Sequence, residues 1–249
     1  MYKTRKDFVR ILISTAVMLV LMLGSTAAVA IGLQVSPISI DLPDNANATE
    51  LWLINSSAKP LQAQIRVYQW TQKNNRDTLT ATTELIVSPP VAKIAANGRQ
   101  LVRVMRAKGN NNTAPLATFR ILVNELPVSS TKTTGVDFVM EYSVPVFVYQ
   151  SSPDALQTKL ALSLAASGKT TLLRANNQGD LYGRLYALTF IDPKGKRLVL
   201  NSGLVGYVLP HQEMQWDIGK PPSVFAQGGT MEALLNGKTH SETIAPLGR

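Results

Sequence analysis

The chain reads as short runs in which apolar and polar residues alternate, broken at short intervals by turn-forming clusters. Ile38, Ile40 and Leu42 alternate with Ser39 and Asp41, the period of a half-buried strand. Leu33 and Val35 lie on the opposite parity, so the pattern flips around Pro37. A proline belongs at a strand edge or break, and the flip predicts a first strand that bends or switches sheets there. Leu51, Leu53 and Asn55 lead into the turn cluster Ser56-Ser57-Ala58-Lys59-Pro60. The chain returns through Ala63, Ile65 and Val67, with Gln64, Arg66 and Tyr68 on the other face, as in an antiparallel hairpin or its equivalent across a sandwich. The runs 85–87, 101–104 and 119–123 predict further strands, with Ser88-Pro89-Pro90 and Asn97-Gly98 as stops and turns.

A polar stretch with a proline, Gln150-Ser151-Ser152-Pro153-Asp154, reads as a linker, beyond which the strand pattern restarts. Leu160, Leu162 and Leu164, then the runs 171–174, 185–191, 214–218 and 231–235, predict a second and smaller β domain. Asp192-Pro193-Lys194-Gly195-Lys196 marks a hairpin turn within it. No amphipathic helix longer than a few turns interrupts the pattern. The fold class is therefore all-β, built from two sandwiches over residues 31–149 and 150–249.

One run stands apart. In 135–149, Val136, Phe138, Met140, Tyr142 and Val144 occupy every second position, and Asp137, Glu141 and Ser143 stand between them, with Val139 the exception. A strand places those five apolar side chains on one face. Burying each is worth roughly 1.5–3 kcal/mol, so the row is covered in some state of the protein. Either it belongs to the core of its own domain, or it lies at a sheet edge and is lent to a partner through unpaired main-chain groups. The polar loop 129–134 before it suits an edge. The pattern by itself leaves both open.

Composition narrows the chemistry. Lys3, Arg5, Lys6 and Arg10 precede an apolar run over 11–23, and Ala28-Val29-Ala30 offers small residues for cleavage, so residues 1–30 read as a signal peptide, with an uncleaved anchor as the alternative. An exported protein without stable membrane insertion follows. The formal charge of +9 includes +3 from this leader, four basic residues less Asp7, leaving +6 on the mature chain. Those basic residues are scattered and not interleaved with stacking aromatics, which argues against a nucleic-acid groove. The chain has no cysteine, so neither disulfides nor thiol chemistry are available. His211 and His240 are far apart in sequence, without acidic neighbours at ligand spacing, and nothing else suggests a nucleophile–base pair, a phosphate loop or a metal cluster. No catalytic residue, cofactor or metal is expected.

Four stretches then carry a resemblance: Leu33-Gln34-Val35-Ser36-Pro37; Ser88-Pro89-Pro90 with Gly98 and Val102-Arg103-Val104; 120–127, ending Asn-Glu-Leu-Pro; and the alternating strand through Val146-Phe147-Val148-Tyr149. In this order behind a signal peptide, they resemble the periplasmic chaperones of chaperone–usher pilus systems. The resemblance implies two immunoglobulin-like sandwiches set at an angle with a cleft between them. It also implies a periplasmic location, pilus subunits and an outer-membrane usher as partners, and donor-strand complementation as the mechanism, in which the chaperone's edge strand completes a subunit's unfinished sheet. Carried over by position, Val136, Phe138, Met140 and Tyr142 become the donor residues. Free chaperone could use the same edge to self-associate.

The chain departs from the family at one point. Many members hold the subunit's C-terminal carboxylate with an arginine on the first strand and a lysine near the end of the donor strand; here those places hold Ser39 and Pro145. Arg120, inside an apolar strand, is the substitute, a pattern that resembles the archaic branch. A guanidinium pairs a carboxylate in two-toothed fashion. The competing assignment pairs Arg120 with Glu125 or Glu141 on the surface. Arg103 is expected to face outward by alternation, and Trp52, Trp70 and Trp216 to be core or cleft-wall residues. The rival function is a secreted adhesin, which would need no edge strand set beside a long loop, or a structural pilus subunit, which would be an incomplete single sandwich of roughly half this length.

Overall fold

Sheet membership changes at Pro37, where the sequence parity flips. The computed structural model describes residues 32–107, 114–127 and 139–247; the predicted signal peptide, the loop 129–134, Val136 and Phe138 lie outside them. The first ten strands are β1 (Leu33–Ser36), β2 (Ile40–Leu42), β3 (Ala48–Asn55), β4 (Leu61–Lys73), β5 (Arg76–Ala81), β6 (Leu85–Ser88), β7 (Val91–Ile94), β8 (Arg99–Arg106), β9 (Leu116–Leu126) and β10 (Glu141–Tyr149). They form one sheet in the order β1-β3-β8-β6 and a second in the order β2-β10-β9-β4-β5, with β7 also paired to β4. Thus β1 joins one layer antiparallel to β3, and β2, three residues beyond Pro37, joins the other layer parallel to β10.

Leu33, Val35, Leu51, Leu53, Val102 and Val104 from one sheet meet Ile65, Phe119, Ile121, Val123, Val146 and Val148 from the other in a closed core. The turn after β3 crosses between layers, so β3 and β4 are the sandwich equivalent of a hairpin. Asn55, fully buried, holds that crossing: its amide donates to the carbonyls of Lys59 (2.8 Å) and Ala95 (2.9 Å), and its Oδ1 accepts from the Ser57 N–H (2.9 Å). A buried amide with this many partners stabilises the turn instead of costing desolvation.

The remaining strands are β11 (Leu160–Ser167), β12 (Thr170–Asn177), β13 (Gly183–Ile191), β14 (Arg197–Val208), β15 (Glu213–Asp217), β16 (Gly229–Leu235) and β17 (Lys238–Ile244). They form a three-stranded sheet, β11-β12-β15, over a four-stranded one, β14-β13-β16-β17. Asp192 shapes the predicted hairpin, its Oδ1 accepting from the N–H groups of Lys194 and Lys196, both at 2.9 Å. Leu173, Leu185, Phe190, Phe225 and Met231 centre the second core. Gly206 lies under the indole of Trp216 so closely that a Cβ there would fall 2.5 Å from the ring. Among the described residues the only helical pieces are short 3-10 turns, Pro153–Ala155 and Pro222–Phe225, and no helix is long and apolar enough to cross a membrane.

A third apolar cluster joins the two sandwiches, which belong to one compact unit, Leu33–Arg249. Trp70, Leu116, Phe147 and Tyr149 from the first sandwich pack on Tyr207 and Leu209 from the second. Phe147 stacks on Tyr182 with ring centroids 3.6 Å apart, and Trp70 meets Tyr207 edge-on at 5.5 Å.

Candidate functional site

Strand β10 changes surroundings along its length. From Val144 to Tyr149 every residue is buried, with Val144, Val146 and Val148 in the first core and Phe147 and Tyr149 against the second sandwich. Toward its beginning the strand emerges. Glu141 and Ser143 are exposed, Met140 is 40% exposed and Val139 51%. Tyr142 is half-buried, its ring against the first core and its hydroxyl donating to the Leu33 carbonyl at 2.5 Å. The apolar row of the sequence is therefore divided: Val144 is spent at home, Tyr142 lies at the boundary, and Met140 faces solvent.

The pairing of β10 explains the division. On one side β9 pairs with its whole length, from Glu141↔Asn124 to Tyr149↔Leu116. On the other side β2 pairs only with Val146, Phe147 and Val148. Among the described residues no strand pairs with Glu141–Pro145 on that border, which leaves main-chain groups available for another chain.

Arg120 sits on β9 directly across from Pro145 in the β10 register. Its neighbours on β9, Phe119 and Ile121, point into the first core, so alternation puts Arg120 on the opposite face, toward the second sandwich. There its guanidinium lies over the Trp70 ring, with Cζ 3.8 Å from the centroid, and 5.4 Å from the centroid of Tyr207. Cation–π contact of this kind holds a guanidinium without neutralising it. Burial pushes its pKa down, with Asp77 and Tyr207 acting in the opposite direction; an arginine nonetheless stays charged. Among the described residues no carboxylate lies within 4.0 Å of it. Glu125 and Glu141, the surface partners it could have had, are engaged elsewhere: Glu125 accepts from the Met140 N–H and Glu141 from the Asn124 amide. Arg120 is thus a half-buried cation stacked on aromatic rings, with the Ser143 carbonyl 3.5 Å from one Nη.

The second wall of this site was not legible in the sequence. Gln72, 5% exposed, spans the two sandwiches: its amide donates to the Tyr207 carbonyl and to Asp77, both at 2.9 Å, and its Oε1 accepts from the Leu209 N–H at 2.8 Å. It thereby fixes Tyr207 beside Arg120. Gln72 and Trp70 stand near the end of β4, before the tight turn Asn74-Asn75, both at positive φ, that leads into β5. The asparagine pair is the turn signal that could have revealed this hairpin. Of the other sequence candidates, Arg103 is exposed as alternation predicts. Trp52, expected in a core or cleft wall, lies instead on the outer face of β3, half-buried beneath Arg99, whose Cζ is 4.7 Å from its ring. A second expectation is corrected: both histidines do have acidic neighbours, His211 with Asp180 at 2.9 Å and His240 with Glu242 at 3.4 Å. The first pair is brought together by folding across 31 positions, which spacing could not show. Among the described residues no cluster of three potential metal ligands occurs.

The aromatic joint has a pH signature. Burial first, and then the negative charge of Asp41, push the Tyr182 hydroxyl up to about 12, and the Tyr149 hydroxyl is raised by the same causes in the same order. A phenol whose folded pKa exceeds its unfolded one stabilises fully below about pH 10, and that stability is lost as pH rises through the folded value. The unfolding midpoint is expected to fall between about pH 10 and 12, and Tyr182→Phe to flatten that fall. An equal slope in the variant, measured by thermal unfolding across this range, would assign the loss to other groups.

Residues 32–157 match the family model described as pili and flagellar-assembly chaperone, PapD N-terminal domain. No curated protein sequence matches the chain. Among solved structures, the chain is similar to one in the CsuC–CsuE chaperone–tip adhesion subunit pre-assembly complex from the archaic chaperone–usher Csu pili of Acinetobacter baumannii. That likeness has 25% identity, a TM-score of 0.66, and coverage of 86% of this chain and 98% of the other. A chain from the Salmonella enterica SafA pilin in complex with the SafB chaperone gives 17% identity and a TM-score of 0.58, covering 87% and 97%. The E. coli chaperone DraB gives 16% and 0.57, covering 87% and 97%. These two lend support to the fold alone.

Proposed function

The chain belongs to the family of pili and flagellar-assembly chaperones, and from that premise we propose that it captures pilus subunits in the periplasm by lending them the open border of β10, then yields them to an outer-membrane usher. A chaperone role in pilus assembly follows from the family. The observation that carries it is the unpaired border beside Glu141–Pro145, continuous with an exposed Met140. A client strand added there would satisfy its own main-chain groups against β10 while its open core received the apolar row, Val136, Phe138 and Met140, with Tyr142 at the margin. Arg120, opposite Pro145 and without a carboxylate of its own, would hold the client's terminal carboxylate. It would replace the arginine and lysine that many relatives use, as the resemblance to the archaic branch suggests. The matched family is one of assembly chaperones, which favours this reading over an adhesin or a structural subunit.

The test is co-production of the mature chain with a small exported β-rich subunit from the same compartment. A one-to-one complex is expected. Arg120→Ala should weaken it by about tenfold or more, the loss typical of a half-buried charge pair, while the unfolding midpoint moves little. Unchanged capture by Arg120→Ala would remove the anchor; failure to form any complex with pilus subunits would remove the chaperone mechanism itself.

A further inference from the structure

Tyr207 also borders a hollow that the mechanism above does not use. Its volume is about 320 Å3, and it is lined by Ile38, Arg184, Tyr186, Leu204, Tyr207 and Leu234. Three of these are large apolar side chains left in solvent: Ile38 is 79% exposed, Leu204 49% and Tyr186 43%. Scattered apolar residues need no explanation, but a group gathered around one concavity does. Ile38 comes from the bend between β1 and β2, and the rest from the face of the second sandwich, so the hollow exists only because the two sandwiches are joined.

The backbone is bent to build it. Tyr186 faces Leu204 on β14 and Leu234 on β16, and the register of β13 shifts on both sides of Tyr186. The next residue, Ala187, has a φ of 53°, a left-handed conformation that alanine adopts at a cost. Bulges of this kind re-aim a side chain at the rim of a sheet. Here the bulge lies beside a tyrosine turned out toward solvent.

The occupant follows from continuity and charge. Tyr207 is a wall shared by the hollow and by the Arg120 site, its ring 5.4 Å from the guanidinium carbon. Arg184 also lines it, and among the described residues no acidic one does. Only the Tyr207 ring is shared between the two sites, and a chain whose terminal carboxylate rests at Arg120 spans about 3.3–3.6 Å per extended residue, so the hollow would be met within its last few residues. We propose that this hollow is a second subsite for the client, taking one apolar side chain from the last few residues before the carboxylate and so helping to choose among subunits. The proposal rests on the reading of Arg120 as carboxylate anchor. It adds a specificity pocket on the second sandwich to an edge on the first.

The probe is a set of ten-residue serine and threonine peptides carrying a single leucine moved through the last five positions, each made with a free carboxylate and as the C-terminal amide. Binding to the mature chain is followed by NMR titration of labelled protein. Leucine at one of these positions is expected to raise affinity about tenfold over the leucine-free peptide, the worth of one buried side chain. Leu204→Asp and Tyr186→Asp should each abolish that gain, and both residues are exposed enough for the variants to fold. No gain at any position, or a gain that survives Leu204→Asp, overturns the subsite. If amide and acid bind alike and Arg120→Ala changes nothing, the anchor fails, and leucine dependence at Leu204 then judges the hollow separately. If Leu204→Asp leaves peptide binding untouched but dissociates a dimer in sedimentation, the hollow serves a second copy of this chain and the proposal is overturned.

Discussion

A Met140→Asp variant is expected to lose subunit capture by about a hundredfold or more while unfolding at nearly the temperature of the parent chain. Both halves follow from where Met140 lies. In the free protein it is 40% exposed and belongs to neither core, so a carboxylate there meets water and the fold is indifferent to within about half a kcal/mol. In a complex built on the β10 border, the same position would be closed over by the client. An aspartate would then be desolvated with no cation to meet it, at a cost of several kcal/mol; about 2.8 kcal/mol already corresponds to a hundredfold. Affinity and thermal unfolding measured on one preparation separate the two halves. An unfolded variant would place Met140 in the internal core, and an intact complex would show that the client does not cover it.

Arg106→Ala should act the opposite way, weakening the fold and reaching capture only through it. Arg106 closes β8, and its guanidinium gathers the ends of three other segments. Nε donates to the Ala46 carbonyl at 2.9 Å, and one Nη donates to the carbonyls of Pro43 and Tyr149, each at 2.7 Å. The other Nη reaches Gln150 at 3.3 Å. Burial lowers its pKa, with Asp44 acting the other way. Truncation strands carbonyls at the ends of β2 and β10, partly open to water, and a loss of about 2–3 kcal/mol is expected. For a chain of this size that lowers the unfolding midpoint by roughly 5–10 °C. Arg106→Lys keeps the charge but not the fork, so it should recover less than half of the loss. A midpoint within about 1 °C of the parent would show that water replaces the guanidinium at no net cost.

What the sequence disclosed, and what it withheld, follows from the range of the interactions. The sheet switch at Pro37 was legible because side-chain parity is a local property, reversed within a few residues. The hairpin at Asp192 was legible for the same reason. Strand β5 was not: all six of its residues are exposed, so no alternation marks it, and its pairing is dictated by the asparagine turn before it. Arg120 stood out as a charge within an apolar strand, but Trp70 and Gln72, 50 and 48 positions away, come beside it through the pairing of β4 with β9, and Tyr207, 87 positions away, only when the sandwiches dock. Gln72, Asn55 and Asn177 carry ordinary surface side chains, and nothing local says that each is buried with its hydrogen bonds made inside the protein. The division of the apolar row at Tyr142 was equally hidden, because it depends on how far along β10 its neighbour β2 extends.

In the proposed mode of capture, that short neighbour would also be an end stop. Since β2 already occupies the side of β10 from Val146 onward, a visiting strand sliding along the vacant side would be halted beside Pro145, level with Arg120. Three residues, Ile40–Leu42, would then be enough to set where a guest chain must finish. Lengthening β2 by one pair toward Pro145 would shift every guest by a residue, turning its inward side chains outward.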